Sequence, residues 1–288
     1  KESVVTKLSE KKDQFLIKTN TLKCIIKKKD LITKITDLNN KVLLEDEKGY
    51  HWSDESKYGG NVVISTKKIR KDEHFFGLGD KTGKLNLRNS RNQLWGTDCY
   101  GYGTDTDPVY KNIPFYMGLN DNHGYGIFMD NTFRSFFDFG KERAEACSFW
   151  AQGSEMRYYF INGPHLMDVA KKYTYLTGTA QLPPKWALGY HQSKWSYYPE
   201  AVVKKIGEEF RERKIPCDVI HLDIDYMDGY RCFTWDKDRF PDPKKMINEL
   251  KEDGFKTVVI IDPGIKIDKK YSVYQEGVEN DYFCKRAD

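Results

Sequence analysis

The sequence predicts an antiparallel β-sandwich over residues 1–181 followed, over 182–288, by the first three strands of a (β/α)8 barrel that this chain leaves incomplete. Three observations predict it. Before about residue 180, short apolar or alternating runs are separated by turn signals, as in an antiparallel sandwich. After residue 186, apolar strand runs alternate with amphipathic helices, the pattern of parallel βαβ units. Between the two stretches, Leu182-Pro183-Pro184 interrupts regular structure and marks the boundary.

The sandwich strands are expected at Gln14 to Ile17, Leu22 to Ile26, Leu31 to Ile35, Val42 to Leu44 and Val62 to Ile64, with an Asn39-Asn40 turn. Phe115 to Leu119 and Tyr125 to Met129 flank Asn120-Asp-Asn-His-Gly124, a hairpin pattern. Arg134 to Phe139, Cys147 to Ala151 and Met156 to Ile161 complete the series. A linking helix is expected near 164–177, where Leu166, Val169, Ala170 and Tyr173 share one face.

The parallel part reads as three strand-then-polar-loop units. Trp186 to His191 runs into Gln192-Ser-Lys-Trp195, Cys217 to Leu222 runs into Asp223, and Lys256 to Asp262 runs into Pro263-Gly264. One helix opens near Pro199 and Glu200 and aligns Val202, Val203, Ile206 and Phe210. Another begins after Asp242-Pro243 and ends at Gly254. A closed barrel takes roughly 200 residues or more. The last hundred residues hold three units, so a longer polypeptide or a companion chain is expected to supply the rest.

Net charge is +4 with short, separated lysine runs, which suits solvated strand faces better than a nucleic-acid groove. Six cysteines show neither a zinc spacing nor a dense disulfide framework. Free thiols are the simpler reading and favour a cytoplasmic location, although a removed signal peptide is compatible with the Lys1 start. No run is long enough to cross a membrane.

Asp223, Asp225 and Asp228 follow the second strand, and the ends of parallel strands are where α/β enzymes keep their sites. Aromatics make up 14% of the chain. Many of them fill cores, but rings beside carboxylates also suit carbohydrate, whose C–H faces stack on them. Asp225 lies just past the strand end and is assigned to structure, while Asp228 is an outer-subsite or structural acid. Two other classes are consistent with parts of the pattern: an Asp-x-Asp phosphotransferase binding Mg2+, and a non-catalytic carbohydrate-binding fragment. Met227 and the preceding sandwich disfavour the former, and an EF-hand lacks its required Gly and Glu.

The ordered set Phe76-Gly-Leu-Gly-Asp80, Leu94-Trp-Gly-Thr-Asp98, Tyr110-Lys-Asn-Ile-Pro-Phe-Tyr-Met117, Leu182-Pro-Pro-Lys-Trp-Ala-Leu-Gly-Tyr190, Asp223-Ile-Asp-Tyr-Met-Asp228 and Ile261-Asp-Pro263 resembles glycoside hydrolase family 31, the α-glucosidase and α-xylosidase group. The resemblance implies a galactose-mutarotase-like sandwich before the barrel, and retaining hydrolysis of α-glycosidic bonds by two carboxylates, without metal or cofactor. It places the nucleophile in a Trp-x-Asp-Met-Asn-Glu-like stretch after the fourth barrel strand and the acid/base later. Neither has a counterpart in these residues, so no catalytic residue is expected here and the isolated chain is expected to be inactive. By the same resemblance, Asp223 binds sugar hydroxyls in the cleavage subsite, Ile224 and Ile260 wall it, and Trp195 stands near the sugar. Asp98 would reach in from a sandwich loop, with Asp105 and Asp107 as competitors. The implied partners are an α-glucoside or α-linked oligosaccharide and the remainder of the barrel.

Overall fold

A computed structural model describes residues 5–54 and 60–285 of the chain. Contacts divide it into two units, 1–179 and 180–288.

In the first unit thirteen strands among the described residues form two antiparallel sheets. They are β1 (Lys7–Glu10), β2 (Gln14–Lys18), β3 (Leu22–Lys27), β4 (Thr33–Asp37), β5 (Val42–Ser53), β6 (Val62–Lys68), β7 (His74–Gly79), β8 (Arg91–Leu94), β9 (Asn112–Asn120), β10 (His123–Met129), β11 (Ser135–Phe139), β12 (Ala146–Ala151) and β13 (Tyr158–Asn162). Nine run in the order β1-β2-β3-β4-β5-β6-β12-β11-β8 and four in the order β13-β10-β9-β7. Alternation along the strands sends Phe75, Tyr116, Tyr125 and Ile127 of the smaller sheet against Phe137, Phe139 and Phe149 of the larger one. Burying these rings supplies the main apolar stabilisation of the unit, since each aromatic removes on the order of 150–250 Å² from water.

Helix α1 (Leu166–Thr177) covers the other face of the smaller sheet, where Tyr173 stacks on Phe115 with ring centroids 3.9 Å apart. Gly126 permits the approach, because a Cβ there would lie 2.7 Å from Val169 Cγ1. The sandwich also buries one ion pair. Lys67 Nζ donates to Asp46 and, at 2.8 Å, to the Tyr158 hydroxyl, so the buried ammonium has a charged and a neutral acceptor.

In the second unit, β14 (His191–Gln192), β15 (Val219–Leu222) and β16 (Lys256–Val259) form a parallel sheet in chain order. Helices α2 (Glu200–Glu212) and α3 (Pro243–Glu252) connect them, and α4 (Ser272–Glu279) follows. Val203, Met246 and Leu250 of the helices pack against Ile220 and Leu222 on one face of the sheet. Asp242 caps α3 by accepting from Lys245 N at 3.0 Å, with Pro243 at the first helical position.

The first parallel strand differs from expectation. Lys185–Leu188 is a 3-10 turn, with Ala187 N donating to Pro184 O, and extended pairing begins only at His191. Trp186 and Leu188 are exposed, so the apolar run marks a turn leading to the sheet. Three strands are additional to those expected: β1, β7 and β8. The stretch begun at Val42 extends to Ser53, through two register shifts opposite β6.

Candidate functional site

The site grows from the alternation of β15. Ile220 and Leu222 face the helices, so Val219, His221 and Asp223 point to the opposite face, which in a closed barrel is the inward one. In the neighbouring strand Val259 packs with the helices, so Val258 and Ile260 join that opposite face. The parallel register sets His221 beside Val258, and Ile260 N donates to Leu222 O at 3.0 Å. Asp223 and Ile260 therefore stand side by side at the C-terminal ends of adjacent strands.

Asp223 ends the strand and caps a short 3-10 turn, Ile224–Tyr226, by accepting from Ile224 N at 2.7 Å through one carboxylate oxygen. Among the described residues the other oxygen has no hydrogen-bond partner, and the side chain is half-buried. This leaves an acceptor fixed at a strand end. Ile224 is half-buried in the turn itself, and Ile260 is 40% exposed. The Tyr226 hydroxyl donates to Ile260 O at 2.8 Å and ties the turn to β16.

Asp225 turns the other way. It is buried and accepts from the Tyr230 hydroxyl and from Arg239 Nη1, each at 3.3 Å. That pairing carries its structural assignment and removes it from a two-carboxylate cation set with Asp223, against the Asp-x-Asp phosphotransferase reading. Asp228 is exposed and faces Arg231, whose guanidinium is paired more closely with Asp268.

Trp195 lies three residues beyond β14 and is 77% exposed; among the described residues no ring contact or hydrogen bond joins it to Asp223. Asp98 is exposed in the loop after β8, in the sandwich unit. The nearby Tyr110 phenol is pushed up by desolvation and by a hydrogen bond to Asp98. Asp107 is committed to neighbouring segments of the sandwich, accepting from Gln93 N of β8 at 2.5 Å and from Lys81 Nζ at 3.4 Å. That leaves Asp98 as the less encumbered of the two acids.

Sequence reasoning missed one pair. His191 Nδ1 and His221 Nε2 are 3.0 Å apart, and His191 Nε2 is buried with no partner among the described residues. Desolvation, with His191 beside it, holds His221 below the ordinary imidazole range. The signal was present: His221 precedes Asp223 by two residues, so strand alternation places both on one face.

An antiparallel sandwich followed by parallel βα units with a carboxylate at a strand end defines a class, that of barrel enzymes fused to a leading sandwich. Two family models match the chain: the glycosyl hydrolase 31 N-terminal galactose mutarotase-like domain over residues 1–138, and the glycosyl hydrolases family 31 TIM-barrel domain over 180–288. The chain belongs to glycoside hydrolase family 31. It is 41% identical over 286 residues to alpha-glucosidase 2 of Bacillus thermoamyloliquefaciens, a match covering 99% of this chain and 36% of that protein. An alpha-glucosidase of Saccharolobus solfataricus is 36% identical over 226 residues, covering 78% of this chain and 32% of the relative. The structure is also similar to that of a Flavobacterium johnsoniae family 31 dextranase complexed with glucose, with TM-score 0.84 and 37% identity, covering 96% of this chain and 32% of the dextranase. The chain spans about a third of the length of these proteins.

Proposed function

We propose that the whole protein is a retaining α-glucosidase to which these residues contribute the sandwich and the front of the substrate pocket. The observation that carries this reading is the half-committed Asp223 carboxylate at the end of β15, beside Ile260 and next to Ile224. A carboxylate with an open oxygen accepts from sugar hydroxyls, and an epimer lacking one of them leaves it unpaired. Ile224 and Ile260 supply apolar wall, Trp195 a ring near the sugar, and Asp98 a second acceptor from the sandwich loop. The α-glucosidase names of the relatives favour glucose over xylose. The nucleophile and the acid/base belong to sequence outside these 288 residues, because no Trp-x-Asp-Met-Asn-Glu-like stretch occurs in them.

The test is Asp223→Ala in the full-length protein, assayed on p-nitrophenyl α-glucoside and α-xyloside. Losing a charge-assisted hydrogen bond costs roughly 1.5–3 kcal/mol, so kcat/KM on the glucoside is expected to fall at least about tenfold. A change within about threefold would remove Asp223 from the subsite. Preference for the xyloside in the wild-type protein would replace glucose by xylose.

A further inference from the structure

Strand β14 is two residues long, and its side chains point opposite ways. The parallel register pairs His191 with Val219 and Gln192 with Ile220, so His191 joins His221 on the inward face and Gln192 joins Ile220 on the face toward the helices. Each side chain makes a bond there. His191 Nδ1 stands 3.0 Å from His221 Nε2, and Gln192 Nε2 donates at 2.6 Å to the hydroxyl of Tyr197, whose ring is buried in the core on the helix side. Trp195 lies in the loop that the second bond closes. Asp223 follows His221 by two residues, roughly 6.5–7 Å along β15.

We propose that His191 and His221 are positioning residues of the sugar subsite, whose mutual hydrogen bond sets the spacing between the strand end that carries Trp195 and the strand end that carries Asp223. The role of Trp195 and Asp223 toward a sugar rests on the proposed function above.

The backbone leaves that spacing loosely fixed. Two residue pairs join β14 to β15, whereas four join β15 to β16. A short ladder resists twisting and sliding less than a long one, so a side-chain bond between the same two strands has more to hold. Val258 is the neighbour of His221 on β16 and offers no polar side-chain atom, so the bond runs toward β14 alone.

The choice of residue points the same way. Branched aliphatic side chains fill the interior layers of parallel barrels. Imidazoles in such a layer lose the hydration of their nitrogens, and His191 Nε2 is buried with no partner among the described residues. An apolar pair would occupy the space without that cost. What the histidines add is a contact of fixed length and direction. Desolvation holds His221 below the ordinary imidazole range, so it meets His191 as a neutral ring near pH 7, with one ring donating and the other accepting.

The test is steady-state kinetics of the full-length protein on p-nitrophenyl α-glucoside, with glucose affinity measured by calorimetry and the melting temperature recorded alongside. His221→Leu removes the bond at similar volume, and kcat/KM and glucose affinity are each expected to fall at least about fivefold. His221→Gln returns an amide near the place of Nε2 and is expected to recover most of the loss. Because the bond acts through the placement of Trp195, the double variant His221→Leu with Trp195→Ala should lose little more than Trp195→Ala alone. His191→Leu breaks the same bond from the other side and takes the place of His221→Leu if that variant does not fold. The proposal is overturned if the leucine variants stay within about twofold of wild type in kcat/KM and glucose affinity, whatever their melting temperatures. It is overturned equally if the losses from His221→Leu and Trp195→Ala multiply, or if neither leucine variant folds, which would assign the pair to stability. A wild-type protein that binds glucose without cleaving the glucoside would remove the enzymatic reading and leave the pair to be judged by glucose affinity. One that binds no glucose would overturn the subsite and the pair together.

Discussion

Asp223 owes its position to two short-range facts: it is the last residue on the open face of β15, and its own carboxylate closes the turn that follows. Three desolvated histidines, one of them two residues before Asp223, set a pH response. Desolvation holds His51, His123 and His221 below the ordinary imidazole value. Each therefore binds a proton more readily in the unfolded chain than in the folded one. Their contribution to stability is complete above the unfolded value of about 6.5 and is lost as pH falls through the lower folded values. The melting temperature is expected to drop between about pH 7 and pH 5, and His221→Gln should flatten that drop. An equally steep profile in the variant would show that His221 is not desolvated in the fold.

At the scale of elements, α2 and α3 form where apolar residues recur at helical spacing and where their ends are chemically marked. Asp242 is the clearest marker, since its side chain satisfies a backbone N–H that the first turn of α3 would leave open. Asp242→Ala is expected to cost about 1 kcal/mol, read as a shift of the urea midpoint with an unchanged slope. No shift would mean that water replaces the cap without penalty. The first parallel strand was misread because Trp186-Ala-Leu has the composition of a buried strand, yet Pro184 before it and Gly189 after it close a 3-10 turn. Composition does not distinguish an apolar turn from a short strand when packing makes the choice.

At the scale of the molecule, the sandwich has a closed aromatic core made from both of its sheets. A fragment of residues 1–179 is expected to unfold cooperatively in urea, with fluorescence and circular dichroism transitions coinciding. Separate transitions would mean that its core needs residues 180–288. The fold class was legible because period-2 and period-3.6 patterns are local properties of the chain, and the carboxylate was legible because it follows a strand. The nine-and-four division of the strands was not, since strand order depends on pairings such as β6 with β12 that join residues 82 apart in sequence. β7 and β8 escaped notice because glycines and polar residues dilute their alternation, and only pairing with β9 and β11 makes them strands.

By itself the sequence determined the two-part architecture, helices α1 to α3 and the family, all of which rest on neighbours along the chain or on motif order. Only the tertiary structure decided which carboxylate is open and which is held by Arg239, and that two histidines meet behind Asp223. Those features depend on side chains distant in sequence arriving on one face. Their geometry is set by packing, which no local pattern encodes.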